Sequence, residues 1–323
     1  MKVLVTGAAG FIGSYVCDAL LSRGDAVVGI DNLNAYYEVS LKQARLDRLT
    51  RRNNFQFFKC DISDRGIIER HGKDFEGVDG VVHLAAQAGV RHSLIDPYTY
   101  VSTNVMGQVV MYELARQLTS LKHFVYASSS SVYGANQEMP FSVADRTEKP
   151  NSLYAATKRA DELIGYTYAH LYKIPSTGLR FFTVYGPWGR PDMAAFLFTR
   201  AILAGKPISV FNHGEMQRDF TYIDDIVAGV IRALDRPPGT TPPHAVYNLG
   251  NHRSEKLLDF IATLENALER KAEKKFEPMQ PGDVPATYAD IEASRRDLGF
   301  EPTTPISIGI PKFVAWYRSY YQV

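Results

Sequence analysis

Short apolar runs alternate with longer amphipathic stretches over the first half of the chain. The first run, Val3-Leu4-Val5, is apolar at consecutive positions, as expected of a strand buried on both faces of a parallel sheet. Residues 26–30 form a second such run, which leads directly to Asp31. Between the two runs, apolar side chains recur at helical spacing at Phe11, Ile12, Val16, Ala19 and Leu20. The pattern predicts a strand, a helix and a second strand.

Three glycines occupy the predicted turn between the first strand and the helix. Gly7 permits a tight turn, Gly10 lets a pyrophosphate approach the backbone, and Gly13 lets the helix pack on the strand. The helix N-terminus offers N–H groups and a partial positive charge to phosphates. Asp31 can accept hydrogen bonds from both hydroxyls of an adenosine ribose, which favours NAD over NADP. We therefore predict a Rossmann unit, although G-x-x-G-x-x-G differs from the commonest fingerprint.

Further strands are predicted at 55–58, 78–84, 123–127 and 175–181, with long helices at 100–118 and 152–172. This alternation predicts an α/β fold, a doubly wound parallel Rossmann sheet. After Thr183 the chain becomes richer in proline and glycine, and the predicted strands shorten to 208–211 and 219–222. Helices are predicted there at 223–234, 256–268 and 306–320. We expect an NAD-binding domain over 1–182 and a smaller α/β substrate-binding lobe over 183–323, interleaved with the end of the sheet.

Composition narrows the functional class. The 323 residues are 45% hydrophobic and 22% charged with a formal net charge of +1, so we expect neither nucleic-acid nor membrane partners. No apolar run approaches the length of a membrane span, and no signal peptide is recognisable, so we expect a cytoplasmic protein. The two cysteines, Cys17 and Cys60, are expected to be reduced. We expect no metal site.

A tyrosine and a lysine are placed to act together on a long helix. Tyr154 and Lys158 are four residues apart and therefore share a face. A lysine and a positively charged nicotinamide both favour the phenolate form of a nearby tyrosine. The serines 128–131 end the preceding predicted strand, and ligands bind at the carboxyl ends of strands in such sheets. A serine hydroxyl, a tyrosyl base and a lysine are the set that removes a proton from an alcohol while a hydride leaves its carbon.

Other cofactor contacts are expected where the predicted strands end. Asp61 can bind an adenine amino group or can cap the following helix, and the sequence leaves both open. The Asn104 side chain can be solvated or can hold a kink in its helix. The remaining expected contacts are the glycines with Phe11 and Ile12, Asn32 beside Asp31, Ile62, and the strand-end residues Leu84, Ala85 and Ala86.

These features together resemble the extended short-chain dehydrogenase/reductases over essentially the whole chain. The resemblance rests on the glycine motif, Asp31, the serines before Val132-Tyr133-Gly134, and the pair of Tyr154 and Lys158. More narrowly, the chain resembles the UDP-glucuronate 4-epimerases in three stretches, namely 31–49 (DNLNAYYEVSLKQARLDRL), 84–93 (LAAQAGVRHS) and 179–194 (LRFFTVYGPWGRPDMA).

The resemblance implies roles for individual residues. Tyr154 is the base on the sugar 4-hydroxyl, and Lys158 holds the nicotinamide ribose. The catalytic serine falls on Ser129, with Ser130 as the next candidate. Arg218 is implied to bind the diphosphate and Asp283 the uridine ribose, with the strand residues Val210 and Phe211 beside them. Thr183, Arg190 and Arg91 are implied to sense a carboxylate on the sugar. A surface location is nearly as good an explanation for Arg91.

The implied reaction is a redox cycle without net redox. Tyr154 takes the 4-hydroxyl proton, C4 gives hydride to NAD, the 4-keto sugar turns over, and hydride returns to the opposite face. NAD should stay tightly bound and be recycled. Because the intermediate is a β-keto acid, an epimerase must also hold the carboxylate away from the alignment for loss of carbon dioxide.

Alternative functions share most of these motifs. A UDP-glucuronate decarboxylase forming UDP-xylose differs only at the carboxylate contacts, and a neutral UDP-hexose 4-epimerase needs no carboxylate-binding arginine. A 4,6-dehydratase would carry an Asp-Glu pair where this chain has Ser130-Ser131. A catalytically silent NAD-binding regulator would not need the intact catalytic set. The helices 100–118 and 152–172 are longer and more apolar than covering one sheet face requires. The resemblance implies that they pair with a second copy as a four-helix bundle, so we expect a homodimer.

Overall fold

A parallel sheet forms the centre of the computed structural model, which describes residues 1–280 and 283–323. Within those residues the sheet has seven strands. In spatial order they are β3 (Phe55–Lys59), β2 (Ala26–Asp31), β1 (Lys2–Thr6), β4 (Gly80–His83), β5 (His123–Ser129), β6 (Ser176–Phe181) and β11 (His244–Leu249). The predicted fold class is confirmed.

The carboxyl ends of the strands meet at one edge because every pairing in this sheet is parallel. Thr6 lies in register with Ile30 and His83, and His83 in turn pairs with Tyr126. The central residues Val3, Leu4 and Val5 are fully buried, which explains their apolar run. The fifth strand continues to Ser129, beyond its predicted end, so two of the serines belong to the strand.

Helices cover both faces of this sheet, and their bounds agree with the predicted pattern at most places. In the first part of the chain they are α1 (Phe11–Arg23), α2 (Val39–Thr50), α3 (Ile67–His71), α4 (Pro97–Tyr100), α5 (Gly107–Ala115) and α6 (Leu153–Tyr172). Short 3₁₀ turns cover Gly72–Phe75, Arg91–Leu94 and Ser130–Tyr133.

The segment predicted as one helix over 100–118 is not a regular α-helix. A π-helical segment, Val101–Met106, joins α4 to α5, which ends at Ala115. Asn104 lies inside the π segment and is buried. The wider turn lets its amide face inwards, and π-helical turns of this kind are frequent near functional sites.

The second part of the chain builds a smaller lobe and also returns to the main sheet. Its remaining elements are β7 (Thr183–Tyr185), α7 (Ala194–Leu203), β8 (Ile208–Val210), β9 (Gln217–Arg218), β10 (Phe220–Tyr222), α8 (Ile223–Leu234), β12 (Glu255–Lys256), α9 (Leu257–Leu268), β13 (Lys274–Phe276), α10 (Glu292–Leu298) and α11 (Ile306–Tyr321). The pairs β7–β10, β9–β12 and β8–β13 are short ladders.

Two elements of this second part belong to the main sheet. Strand β11 pairs with β6 along its full length, and α8 packs against α1. Neither α7, β11 nor α10 was predicted from the sequence. Their apolar residues follow loops rich in glycine and proline, where the periodicity is interrupted.

Candidate active site

The glycine turn after β1 has the geometry expected of a phosphate cradle. Gly7 has φ +72°, and its N–H donates to the carbonyl of Ile30 at 2.8 Å. A Cβ at Gly13 would lie 2.0 Å from the carbonyl oxygen of Gly7. Helix α1 begins at Phe11, has no acidic residue in its first turn, and leaves its first N–H groups without partners within the helix. These groups suit a pyrophosphate.

Asp31 lies beside this cradle, at the carboxyl end of β2. Its two carboxylate oxygens accept the N–H groups of Ala9 and Leu33 at 3.1 and 2.8 Å. Burial raises the pKa of Asp31, although these hydrogen bonds and the nearby Lys42 oppose the rise. The aspartate therefore fixes the glycine turn while it lines the cavity described below.

Asp61, another predicted cofactor residue, is held by hydrogen bonds from neighbouring residues. Asp61 accepts the N–H and the hydroxyl of Ser63 at 2.9 and 2.6 Å, and the Asn32 amide at 2.8 Å. Burial alone would raise the pKa of Asp61, but these hydrogen bonds lower it. The contacts with Ser63 form an Asx turn, and helix α3 begins later, at Ile67, without a side-chain cap, so Asp61 does not cap that helix.

The side chain of Asn104 fastens the loop that follows β4. Its Oδ1 accepts the Gln87 N–H at 2.8 Å, and its Nδ2 donates to the Gln87 carbonyl and the Thr157 hydroxyl at 3.1 and 3.0 Å. Asn104 therefore connects the π segment, the end of β4 and helix α6. Asp61, Asn104 and Val210 lie outside the cavity lining, and the buried Val210 pairs with β13.

One large cavity, about 1230 Å³ in volume, runs across the carboxyl edge of the sheet between the two parts of the chain. It brings together the other predicted site residues from both parts. The predicted residues that line it are Gly7, Gly10, Phe11, Ile12, Gly13, Asp31, Asn32, Ile62, Leu84, Ala85, Ala86, Arg91, Ser129, Ser130, Tyr154, Lys158, Thr183, Arg190, Phe211, Arg218 and Asp283.

Helix α6 presents Tyr154 and Lys158 to this cavity from its first two turns. Ser152 caps the helix, since its hydroxyl accepts the Ala155 N–H at 3.1 Å. The Lys158 ammonium donates at 3.0 Å to the carbonyl of Ala127, which lies on β5. Tyr154 is half-buried and packs edge-on against Tyr100, with ring centroids 6.1 Å apart. The tyrosine thus faces the cavity above a fixed lysine.

The serines after Ala127 have different partners. Ser128 donates to the buried carboxylate of Glu162 at 2.6 Å, so its hydroxyl is engaged within the protein interior. Ser129 is extended, donates to the Ser131 hydroxyl at 3.1 Å, and accepts the Ser131 N–H at 3.1 Å. Ser129 and Ser130 both line the cavity, and they remain the two candidates for the catalytic hydroxyl.

Arg190 is paired with a residue that the sequence analysis did not single out. Asp192 accepts from its Nε at 3.0 Å and from Nη2 at 2.5 Å, and also accepts the Tyr36 hydroxyl at 3.2 Å. Burial acts to lower the pKa of Arg190, but the Asp192 carboxylate raises it overall. The sequence Arg-Pro-Asp could have indicated this ion pair, because opposite charges two residues apart in a loop often pair.

Another arginine, which was not predicted as a site residue, connects the two parts of the site. Arg45 is fully buried and donates to the carbonyl of Ala9 in the glycine turn at 3.1 Å. It also donates to the Trp188 carbonyl at 2.6 Å and to that of Gly189 at 3.1 Å, immediately before Arg190. The glycine turn and the Arg190 loop are therefore bridged by one guanidinium.

Two arginines meet Asp283 at the far end of the cavity. Arg91 Nη2 is 3.1 Å from Asp283 Oδ2, and Arg218 Nη2 is 4.0 Å from Oδ1. The Arg91 guanidinium also lies over the Phe211 ring, 5.1 Å from its centroid. Burial lowers the pKa of Arg218. Pro281 and Gly282, which directly precede Asp283, lie outside the described residues.

Helix α7 supplies one wall of the cavity that sequence reasoning missed. Its contribution is Ala194, Leu197, Phe198, Arg200 and Ala201, with Lys206 following the helix. These residues carry no motif that the sequence could have marked as functional. Their position follows from the packing of α7 against α9.

The features of the turn fit NAD on structural grounds. A dinucleotide site consists of a glycine turn with no room for a Cβ, a helix N-terminus without acidic residues, and a carboxylate at the end of β2. All three are present here. The model for the NAD dependent epimerase/dehydratase family matches residues 3–250. The chain belongs to this family. NAD is its cofactor, and the glycine turn, Asp31 and Lys158 would hold it.

Several named proteins are similar to this chain along its whole length. UDP-glucuronate 4-epimerase 4 of Arabidopsis thaliana is 49% identical over 100% of this chain and 76% of its own length. A probable UDP-glucuronate 4-epimerase of Rhizobium meliloti is 44% identical over 100% of this chain and 98% of that protein. The crystal structure of the Bacillus cereus UDP-glucuronic acid 4-epimerase with UDP-glucuronic acid and NAD is 36% identical, with a TM-score of 0.89 over 99% of this chain and 100% of that chain.

Proposed function

We propose that this protein is an NAD-dependent UDP-glucuronate 4-epimerase, which interconverts UDP-glucuronate and UDP-galacturonate through a transient 4-keto sugar. The observation that carries the proposal is that one cavity contains both the glycine cradle and the side chains of Tyr154, Thr183 and Arg190. The names of the similar proteins in Arabidopsis, Rhizobium and Bacillus support the same substrate.

The chemistry requires a base at the sugar 4-hydroxyl and a partner for the redox change. NAD, when bound, supplies the group that accepts and returns a hydride. Tyr154 takes the proton of the 4-hydroxyl and later gives it back, and the hydroxyl of Ser129 or Ser130 holds the oxygen in place. Lys158 is fixed by the Ala127 carbonyl and would hold the nicotinamide ribose.

The sugar carboxylate would be held by Thr183 and Arg190. Asp192 bonds Nε and Nη2 of Arg190, and among the described residues no acceptor bonds its Nη1. The carboxylate would therefore meet a guanidinium whose orientation is fixed by Asp192. Such fixed contacts would keep the carboxylate out of the alignment that releases carbon dioxide from the 4-keto sugar.

The nucleotide would lie toward the part of the cavity that comes from the second half of the chain. A guanidinium fork suits a diphosphate, and Arg218 and Arg91 both reach this region. Asp283 would accept the uridine ribose hydroxyls beside Phe211, whereas Val210 is buried outside the cavity. We propose on this basis that residues 1–182 bind NAD and residues 183–323 bind the UDP-sugar.

The proposal is tested by incubating the purified protein with UDP-glucuronate, without added NAD, and following products by NMR. UDP-galacturonate is expected, and its formation without added NAD would also show that the cofactor is retained. UDP-xylose with carbon dioxide would instead assign a decarboxylase. Turnover of UDP-glucose alone would assign a neutral-sugar epimerase, and no turnover of any UDP-sugar after adding NAD would leave a silent NAD-binding protein.

We also propose a cytoplasmic homodimer that forms through a four-helix bundle. Among the described residues no helix is long and apolar enough to cross a membrane. Helix α6 contacts the π segment before α5, and both elements expose apolar side chains, among them Leu163 (54% exposed) and Val101 (49%). Two helices from each subunit would bury these side chains.

The dimer is tested by light scattering on Leu163→Glu. A dimer is expected for the parent protein and a monomer for the variant. Ile308→Glu, which changes a similarly exposed residue on α11, is the control and should stay dimeric. A monomeric parent protein would contradict the proposal.

A further inference from the structure

A buried carboxylate lies next to the lysine of the active site and has no part in the reaction described above. Asp161 follows Lys158 by about one helical turn on α6, and its Oδ2 is 3.0 Å from the Lys158 Nζ. The side chains of Asp161 and Lys158 are 1% and 4% exposed. The second oxygen of Asp161, Oδ1, is also buried and has no hydrogen-bond partner among the described residues.

Fold stability does not explain this arrangement well. A buried ion pair recovers little more than the cost of removing its charges from water, and a buried oxygen without a partner adds a further cost. Lys158 already has a fixed acceptor in the carbonyl of Ala127. Because an ammonium has three donors, the carboxylate supplies a second acceptor, and it also adds a negative charge, which the carbonyl does not.

The charge has a direct consequence for the reaction. Tyr154, Lys158 and Asp161 are spaced i, i+4 and i+7 and so lie along one face of α6. A lone buried ammonium would oppose the positively charged, oxidised nicotinamide and favour the neutral, reduced one. A carboxylate 3.0 Å away offsets that field. A cycle without net redox needs such a balance.

The other titratable groups that face this pair keep one charge state near neutral pH. From β4, burial and the Lys158 charge lower the pKa of His83 to about 3. From α5 and β5, burial raises the pKa of Tyr112 and of Tyr126 above the usual range. On α6, burial acts to raise the pKa of Glu162, but its arginine partners lower it. Burial raises the pKa of Asp161 to about 6.

We propose that Asp161 is a positioning residue that acts through Lys158, and that its negative charge limits how strongly the site favours the reduced over the oxidised form of NAD. The proposal rests on NAD being the cofactor. Its test needs no sugar nucleotide, so that its failure is distinct from failure of the proposed reaction.

The test compares the affinities of the NAD-free protein for the reduced and oxidised cofactor by fluorescence titration. In Asp161→Asn the preference for the reduced form should rise about tenfold, the effect of one charge at about 10 Å in a protein interior. Asp161→Glu should restore much of the parent ratio. Glu113→Gln, an exposed carboxylate change on α5, should leave the ratio unchanged.

The melting temperature separates this role from a structural one. A merely structural Asp161 would change the melting temperature of Asp161→Asn and leave the cofactor ratio unmoved, which would overturn the proposal.

A measurement on the parent protein keeps the proposal testable if Asp161→Asn does not fold. The preference for the reduced cofactor should increase as the pH is lowered from about 8 to about 5, since protonation of Asp161 removes the same charge. A preference that is constant over this range would also overturn the proposal.

Discussion

Replacing Gly13 with alanine should release NAD from an otherwise folded protein. The added Cβ would lie 2.0 Å from the carbonyl oxygen of Gly7, whereas ordinary van der Waals contact begins at 3.4 Å. The colliding atom belongs to the backbone, so no rotamer change can relieve the contact. Helix α1 and the glycine turn must separate by about 1.4 Å.

A displacement of this size lengthens hydrogen bonds from the turn to a phosphate beyond their working range. Losing two charge-assisted hydrogen bonds at the lower end of their usual strength, about 1.5 kcal/mol each, weakens NAD binding about a hundredfold. Overpacking adds about 1–3 kcal/mol of destabilisation. The variant should therefore melt at a lower temperature and be purified without NAD.

The assay measures the NAD released per subunit after denaturation, together with NAD affinity and the melting temperature. Gly10→Ala should have a smaller effect, because its Cβ would lie 2.9 Å from the same carbonyl oxygen. Gly72→Ala is the control, since no atom lies within 4 Å of its Cβ and its φ is −55°. A folded Gly13→Ala that retains NAD as fully as the parent protein would refute the reasoning.

Three further predictions follow from the site and the packing. Thr183→Ala should raise the ratio of decarboxylated to epimerised product about tenfold by removing one hydrogen bond to a carboxylate, and an unchanged ratio by NMR would contradict this. Burial lowers the pKa of His123 to about 4, so unfolding by urea should become easier as the pH falls below about 6.5, where only the unfolded chain gains the proton, and His123→Asn should flatten this dependence. Burial acts to raise the pKa of Glu265, but Lys274, the Ala272 N–H and Lys271 lower it to about 2. Glu265→Gln should therefore lower the free energy of unfolding at pH 7, and its difference from the parent should shrink as the pH falls from about 4.5 toward 2.

The cofactor half of the site could be predicted closely because its requirements are local. A glycine turn between a buried strand and a helix, followed by an acid at the next strand end, is encoded within residues 1–31. The turn geometry and the bounds of β1, α1 and β2 agree with that prediction. The pair of Tyr154 and Lys158 was also evident, because helical periodicity fixes which residues share a face.

Long-range pairing was less accessible to sequence reasoning. Strand β11 joins β6 from more than sixty positions away, and its residues carry no signal that names their partner. The Arg45 contacts with Ala9 and Gly189 likewise connect positions that are distant in the chain. Asp61 shows the same limit in a short segment, since the sequence left a helix cap and an adenine contact open, whereas its carboxylate accepts from Ser63 and Asn32 and caps no helix.

The sequence by itself determined the doubly wound fold and predicted the NAD site and the pair of Tyr154 and Lys158, since strand pattern, turn chemistry and helical spacing are properties of neighbouring residues. Only the tertiary structure decided that Asp192 orients Arg190, that Arg45 bridges the two loops, and that Asp161 stands unpaired on one oxygen beside Lys158. Those outcomes depend on burial and on which charges meet in a low-dielectric interior, and both are set by the packing of the whole chain.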